Sequence, residues 1–239
     1  MTDKPSKKVL LTKNEELDKR IGGIPLPSLV VIEGPNDSGK SVLAQQMIYG
    51  GLECDLRICY ISSEGSGSYI LSAMENLGFN VKGHYLSGRL GLISLHVKGM
   101  EWAPEVAKEA LFLLVNYFKR KSKKYDLFVV DSLTLLFTKV DDNSVLNFLS
   151  EVRRLIDDEN FSFIFTLHHY ALNQEQLVRI RSISDTHFQL AVKEMGEKLI
   201  RILEVLKVRG ATKPSSFLLS FEVDSNFGIK VLPFTQVRL

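Results

Sequence analysis

The sequence predicts an α/β fold: a mostly parallel central sheet flanked by helices, with antiparallel strands added at the C-terminal end. Three observations carry this. Short apolar runs of strand length alternate with helical stretches up to about residue 182. After Ser184 the helical stretches stop, and strand-like runs follow one another through turns. Between the first of these strands and the helix after it lies a glycine-rich loop, Gly34-Pro35-Asn36-Asp37-Ser38-Gly39-Lys40-Ser41.

Residues 1–16 are polar, and a flexible segment is expected there, ahead of a single domain over 17–239. Gly22-Gly23-Ile24-Pro25-Leu26-Pro27 is a turn-rich lead-in. Ser28-Leu29-Val30-Val31-Ile32-Glu33 is a short β-branched run, a buried strand. Val42 to Tyr49 supplies helix formers with apolar residues at helical spacing. Arg57 to Ser62 reads as a second strand, 63–68 as a small polar loop, and Tyr69 to Leu77 as a helix stopped by Gly78. Residues 78–90 are a glycine-punctuated loop, and Leu92 to Val97 a strand.

Pro104 opens a long amphipathic helix to about Arg120, since proline suits a first helical turn. Leu127-Phe128-Val129-Val130 is a buried strand ending in Asp131. Asn143 to Asp158 is a helix with Val145, Leu146, Leu149, Val152, Leu155 and Ile156 on one face. Phe161 to Leu167 is a strand, and 171–182 is helical. The last strands are His187 to Val192, Leu199 to Val208, Phe217 to Val223 and Gly228 to Val231.

At 239 residues, 45% hydrophobic and 24% charged, the chain can form one large domain or two small ones around a sizeable core. A net charge of +2 provides no global field for nucleic acid. Cys54 and Cys59 have no third or fourth partner, so they read as buried apolar residues in a reducing compartment. No secretory leader and no bilayer-length apolar stretch is expected, which suggests a cytoplasmic protein. Asn36-Asp37-Ser38 matches a glycosylation acceptor, but its place inside the loop argues against that use.

The loop fits G-x-x-x-x-G-K-[ST]. Its glycines let backbone N–H groups turn inward around phosphate oxygens, and the helix N-terminus adds donors and a favourable dipole. Lys40 would reach the β- and γ-phosphates of a nucleoside triphosphate, and Ser41 would place its hydroxyl on Mg²⁺. The binding set is Gly34, Pro35, Asn36, Asp37, Ser38, Gly39, Lys40, Ser41 and Val42. Asp37 is an acid in an anion-binding loop, so it must point away or pair with a cation. Asp131, about 90 residues later at a strand end, would hold Mg²⁺ through water.

Glu64 follows the second strand, at the carboxyl end where ligands sit, and would polarise an attacking water. Its plainer reading is a solvated loop glutamate. Thr166, His168 and His169 end another strand, where a hydroxyl and an imidazole would sense the γ-phosphate or simply satisfy backbone groups. Lys207 and Arg209 lie on the same side of a late strand, suited to a triphosphate held by a neighbouring subunit, or to a solvated strand end. Lys119-Arg120-Lys121-Ser122-Lys123-Lys124 suits a solvated helix C-terminus, with an acidic partner or anionic lipid surface as the sharper alternative.

Taken together, Leu17-Asp18, Ile21-Gly22-Gly23-Ile24-Pro25, the loop Gly34–Ser41, Asp131 and Leu203-Glu204-Val205-Leu206-Lys207-Val208-Arg209-Gly210 resemble the RecA/KaiC-like ATPases over about 15–232. Within that group the chain looks most like the KaiC-like accessory proteins of the archaeal flagellum (archaellum) motor. The resemblance implies an ATP and Mg²⁺ site at a subunit boundary of a homo-oligomeric ring, a hexamer, with Lys207 and Arg209 reaching the next subunit's γ-phosphate. It implies the motor ATPase FlaI and the membrane protein FlaJ as partners, and a place at the periphery of the membrane-embedded motor. Glu64 matches one of the family's tandem glutamates, but Gly65 stands in the second one's place, so slow or absent hydrolysis is expected. The competing reading is a RecA/RadA-type DNA-dependent ATPase or recombination regulator. It lacks support from a basic-aromatic groove, and no nucleic acid is expected as a partner.

Overall fold

A computed structural model describes residues 8–95, 102–195, 198–210 and 217–233. Its elements run β1 (Val9–Leu10), α1 (Glu15–Ile21), β2 (Ile24–Pro25), β3 (Leu29–Glu33), α2 (Lys40–Glu53), β4 (Ile58–Ser62), α3 (Gly67–Glu75) and α4 (Lys82–Leu86). They continue β5 (Leu90–Ser94), α5 (Pro104–Lys121), β6 (Leu127–Asp131), α6 (Thr134–Phe137), α7 (Asp142–Glu159), β7 (Ser162–Leu167) and α8 (Gln174–Ile183). The chain then forms β8 (Thr186–Met195), β9 (Lys198–Val208), β10 (Phe217–Asp224) and β11 (Gly228–Leu232).

The large sheet has the order β11-β10-β9-β8-β3-β7-β6-β4-β5. From β8 to β5 all pairings are parallel, and from β8 to β11 all are antiparallel. This is the expected KaiC/RecA-type architecture. Both sheet faces are covered, which is why β3, β4, β6 and β7 read as unbroken apolar runs. Side chains still alternate: Val30 and Ile32 join the core under α2 and α3, while Leu29 and Val31 join the core under α5, α7 and α8. The aromatic rings grouped around β6 and β7, Phe118, Phe128, Phe161 and Phe163 among them, meet edge-on or tilted on that second face.

Order begins earlier than expected. Residues 1–7 lie outside the described residues, but 8–16 are built into the domain rather than loose. Val9 and Leu10 pair with Pro25 and Ile24, and Leu10 is buried in the core. Gln46 Nε2 donates to the Thr12 carbonyl at 3.0 Å, and a Cβ on Gly50 would meet the Leu11 carbonyl at 2.0 Å. Asn14 caps α1 through its side chain. Two short helices, α4 and α6, lie where no helix was expected; each is only a turn or so long, too short for a periodic pattern. The strand expected over Leu92 to Val97 is β5, which ends at Ser94; Val97 lies outside the described residues. Cys59 is buried as expected and its thiol is pushed up to about 11 by burial, whereas Cys54 is only half-buried.

Candidate nucleotide site

The loop leaves β3 at Glu33, and α2 begins at Lys40. A Cβ on Gly34 would sit 2.7 Å from Ser38 Oγ and 2.8 Å from the Leu190 carbonyl, so the β8 backbone closes against the loop only because Gly34 has no side chain. Gly39 has φ 91 and lies against the Phe221 ring, which again requires glycine. Asp37 also adopts a left-handed φ of 56, and its carbonyl accepts from Arg201 Nε at 2.8 Å. Its carboxylate acts on Lys40 through charge, so the acid does find a cation within the loop. Ser38 Oγ and Lys40 Nζ both donate to the Pro35 carbonyl, at 2.8 and 2.6 Å, which holds the turn tight.

In the sheet order, β7 lies between β3 and β6, so Asp131 reaches the loop diagonally. Ser41 Oγ donates to Asp131 Oδ1 at 3.2 Å. Thr166 Oγ1 on β7 donates to the same oxygen at 2.5 Å, and Tyr60 Oη on β4 donates to Oδ2 at 2.8 Å. Asp131 is therefore a buried carboxylate held by three hydroxyls from three other elements. Burial, and then the Asp131 charge, push the Tyr60 hydroxyl well above its ordinary pKa, so it stays a donor.

Lys40, Ser41, Val42, Asn36, Asp37, Gly39, Glu64, Asp131 and His168 line one cleft of about 440 Å³, with Ser132, Arg201 and Val223. Burial lowers the Lys40 pKa, and Asp131, Glu64 and Asp37 oppose this in that order. Partial desolvation in the cleft and then the Asp131 charge raise the Glu64 carboxyl, with Lys40 opposing. Desolvation, then Lys40 and His169, lower His168 and favour its neutral ring. His168 Nδ1 is buried without a hydrogen-bond partner among the described residues, and the ring lies 5.2 Å from that of Tyr170.

Two sequence expectations change, those for Thr166 and His169. Thr166 is fully buried and bonded to Asp131, so it positions the carboxylate and does not face the cleft. His169 sits on the short turn His169–Ala171 and is not among the cleft-lining residues. Lys207 and Arg209 stay outside this chain's own cleft. Lys207 Nζ caps the C-terminal end of α8, donating to the carbonyls of Arg181, Ser182 and Ser184 at 3.1, 3.3 and 2.5 Å. Arg209 Nη1 lies 3.2 Å from Asp185 Oδ1, and its backbone N–H donates to the Asp185 carbonyl. The Asp185 N–H in turn donates to the Leu29 carbonyl, at the end of β3 opposite the loop. Any phosphate reached by Arg209 would therefore belong to another subunit. In the basic run, Ser122 and Lys123 are tied to Glu159 at 3.0 and 3.2 Å.

The sequence reading did not single out Tyr60, Thr166 as a clamp, or Arg201. Their signals were present: a polar-tipped ring inside Ile58-Cys59-Tyr60-Ile61, and a lone cation inside Leu199-Ile200-Arg201-Ile202-Leu203.

Comparison with known proteins matches residues 11–236 to the KaiC ATPase family. The archaeal flagellar ATP-binding protein FlaH of Sulfolobus acidocaldarius is 32% identical over 230 residues, covering 96% of this chain and 99% of that protein. FlaH of Methanocaldococcus jannaschii is 27% identical, covering 91% of this chain and 92% of that protein. The circadian clock oscillator protein KaiC 1 of Synechocystis is 26% identical over 91% of this chain, which spans 43% of that protein. In fold, the crystal structure of flagellar accessory protein FlaH from Methanocaldococcus jannaschii superposes with a TM-score of 0.79 at 24% identity, covering 95% of this chain and 100% of that one. Loop, sheet order and sequence similarity over nearly the full length agree: the chain belongs to the KaiC-like ATPases and, among them, to the FlaH family of archaeal flagellar proteins.

Proposed function

We propose that this protein binds ATP with Mg²⁺ and acts as a nucleotide-dependent accessory component of the archaellum motor, with slow or absent hydrolysis. The observation that carries it is the convergence of Lys40, Ser41, Asp131 and Glu64 on one cleft behind a glycine-tight loop. The donor chemistry fits the ligands: a helix N-terminus and an ammonium suit phosphate, and a hydroxyl beside a carboxylate suits Mg²⁺. When bound, Mg²⁺ would neutralise phosphate charge. Ser41 and Asp131 would hold it, Lys40 would hold the phosphate oxygens, and Glu64 would accept a proton from water.

The motor role rests on the FlaH relatives, whose names place them in the archaeal flagellum. In this reading the protein forms a ring with ATP at subunit boundaries, a hexamer, and presents its nucleotide state to the motor ATPase FlaI and the membrane protein FlaJ. No helix among the described residues is long and apolar enough to cross a membrane, so contact with the motor would be peripheral. Gly65, in the place of a second glutamate, supports slow turnover.

The test is to incubate the purified protein with ATP and Mg²⁺, re-isolate it, and identify the bound nucleotide, with and without single-stranded DNA. Intact ATP retained for many minutes, insensitive to DNA, is the expected result. Rapid conversion to ADP with release, faster with DNA, would replace the accessory reading with a DNA-dependent ATPase.

A further inference from the structure

On the sheet face away from α2, helices α5 and α7 run side by side in the same direction, their C-terminal ends joined by Ser122 and Glu159. Between them lies an open groove of about 330 Å³, separate from the nucleotide cleft. Its walls are apolar, with Phe112 and Val115 from α5 and Phe148 and Leu155 from α7. α5 already buries Ala107, Leu111, Leu114 and Phe118 toward the sheet. Yet it also leaves Phe112, on the groove side, at 61% exposure, where a surface helix ordinarily carries polar residues.

The charges at the rim are one-sided. Lys108 and Lys119 stand at the two ends of the groove, eleven positions apart on α5, or about 16 Å at 1.5 Å per residue. Neither comes within ion-pair distance of an acid among the described residues, although the Lys108 charge acts on Asp141 and the Lys119 charge on Glu159. The third cation, Arg154, is bonded to Glu151, the only acid lining the groove, so that acid is already neutralised. Lys119 also begins the basic run singled out in the sequence.

We propose that this groove docks an acidic amphipathic helix of a partner protein, about three turns long. Its apolar ridge would enter between Phe112 and Phe148, and its carboxylates would meet Lys108 and Lys119. A concave groove with cations at its two ends fits a ridge of side chains flanked by acids. A lipid surface is flat and offers no ridge to fill the groove between Phe112 and Phe148, although the basic run beside the groove would suit one. The proposal is independent of the nucleotide reading.

The test uses the full chain and two fluorescent 18-residue peptides with the same leucine stripe at helical spacing, one flanked by glutamates and one by lysines. Binding is followed by anisotropy at two salt concentrations. The expected result is that the glutamate peptide binds at least tenfold more tightly than the lysine peptide, and less tightly at high salt. Phe112→Ser should weaken it at least tenfold, and the double variant Lys108→Glu, Lys119→Glu should remove both the binding and its salt dependence. All three side chains are solvent-facing, so a circular-dichroism melt unchanged from the parent will show that the variants fold. Equal affinity for both peptides, or for neither, overturns the proposal. So does a result in which the same variants instead lose binding to phosphatidylglycerol vesicles, which would assign the face to a membrane, or abolish self-association in sedimentation, which would assign it to a second copy.

Discussion

Tyr60 Oη donates a 2.8 Å hydrogen bond to Asp131 Oδ2, and both side chains are buried. Gln45 Nε2 lies 3.4 Å behind the same hydroxyl. The carboxylate that would hold Mg²⁺ is thus aimed from a strand the sequence reading treated as plain core. Tyr60→Phe deletes one donor to a buried charge, and a hydrogen bond of that kind is worth about 1.5–3 kcal/mol. We expect a loss of that size in denaturant unfolding and a several-fold weaker ATP affinity with Mg²⁺. Affinity in EDTA should hardly change. Equal weakening in both conditions would show that Tyr60 supports the fold alone.

Lys40→Ala should abolish measurable ATP binding in calorimetry, because the phosphates lose their one cation in the loop. Lys40 Nζ bonds the Pro35 carbonyl, so a modest drop in melting temperature is also expected. Unchanged nucleotide affinity would refute the role of the loop.

Arg209→Ala should leave the monomer's melting temperature close to that of the parent, since the side chain is 62% exposed at its contact with Asp185. If Arg209 acts on a neighbour's phosphate, the same variant loses ATP-linked assembly in light scattering. Normal ring formation by the variant would assign Arg209 to the Asp185 contact only.

Glu33 ends the strand that feeds the loop and is buried against Arg181 Nη2 at 2.8 Å and His187 Nε2 at 3.1 Å. Burial by itself raises its pKa, but the close approach of His187 and the hydrogen bond and charge of Arg181 outweigh it, and the net shift is downward. A carboxylate whose folded pKa is depressed stabilises fully above its unfolded value, near 4.5, and that stability is lost as pH falls through the lower folded value. Glu33→Gln should therefore unfold at lower urea than the parent by a constant margin above about pH 5.5. The margin should shrink steadily below pH 4.5. A margin that did not vary with pH would mean that the Glu33 charge contributes nothing.

The loop, its flanking strand and helix, and Asp131 at a strand end were all legible because each is a local requirement. Backbone N–H groups that turn inward need glycines at fixed spacing, and a buried strand needs a run of apolar residues. The late change from helices to hairpins likewise signalled the change from parallel to antiparallel pairing. The assignment of 8–16 to a loose segment failed because the apolar run Val9-Leu10-Leu11 is too short to show a period and is ordered by contacts made elsewhere, with Gln46 and Ile24.

The sequence by itself determined the α/β class, the phosphate-binding loop and an acid at the end of a buried strand, since these follow from nearest-neighbour geometry and strand periodicity. Only the tertiary structure decided that Tyr60 and Thr166 clamp Asp131, that Lys207 caps α8, and that Arg209 faces away from its own cleft. Those facts depend on which strand lies beside which. Sheet order is settled by the packing of two apolar faces over the whole chain, and no local pattern of residues encodes it.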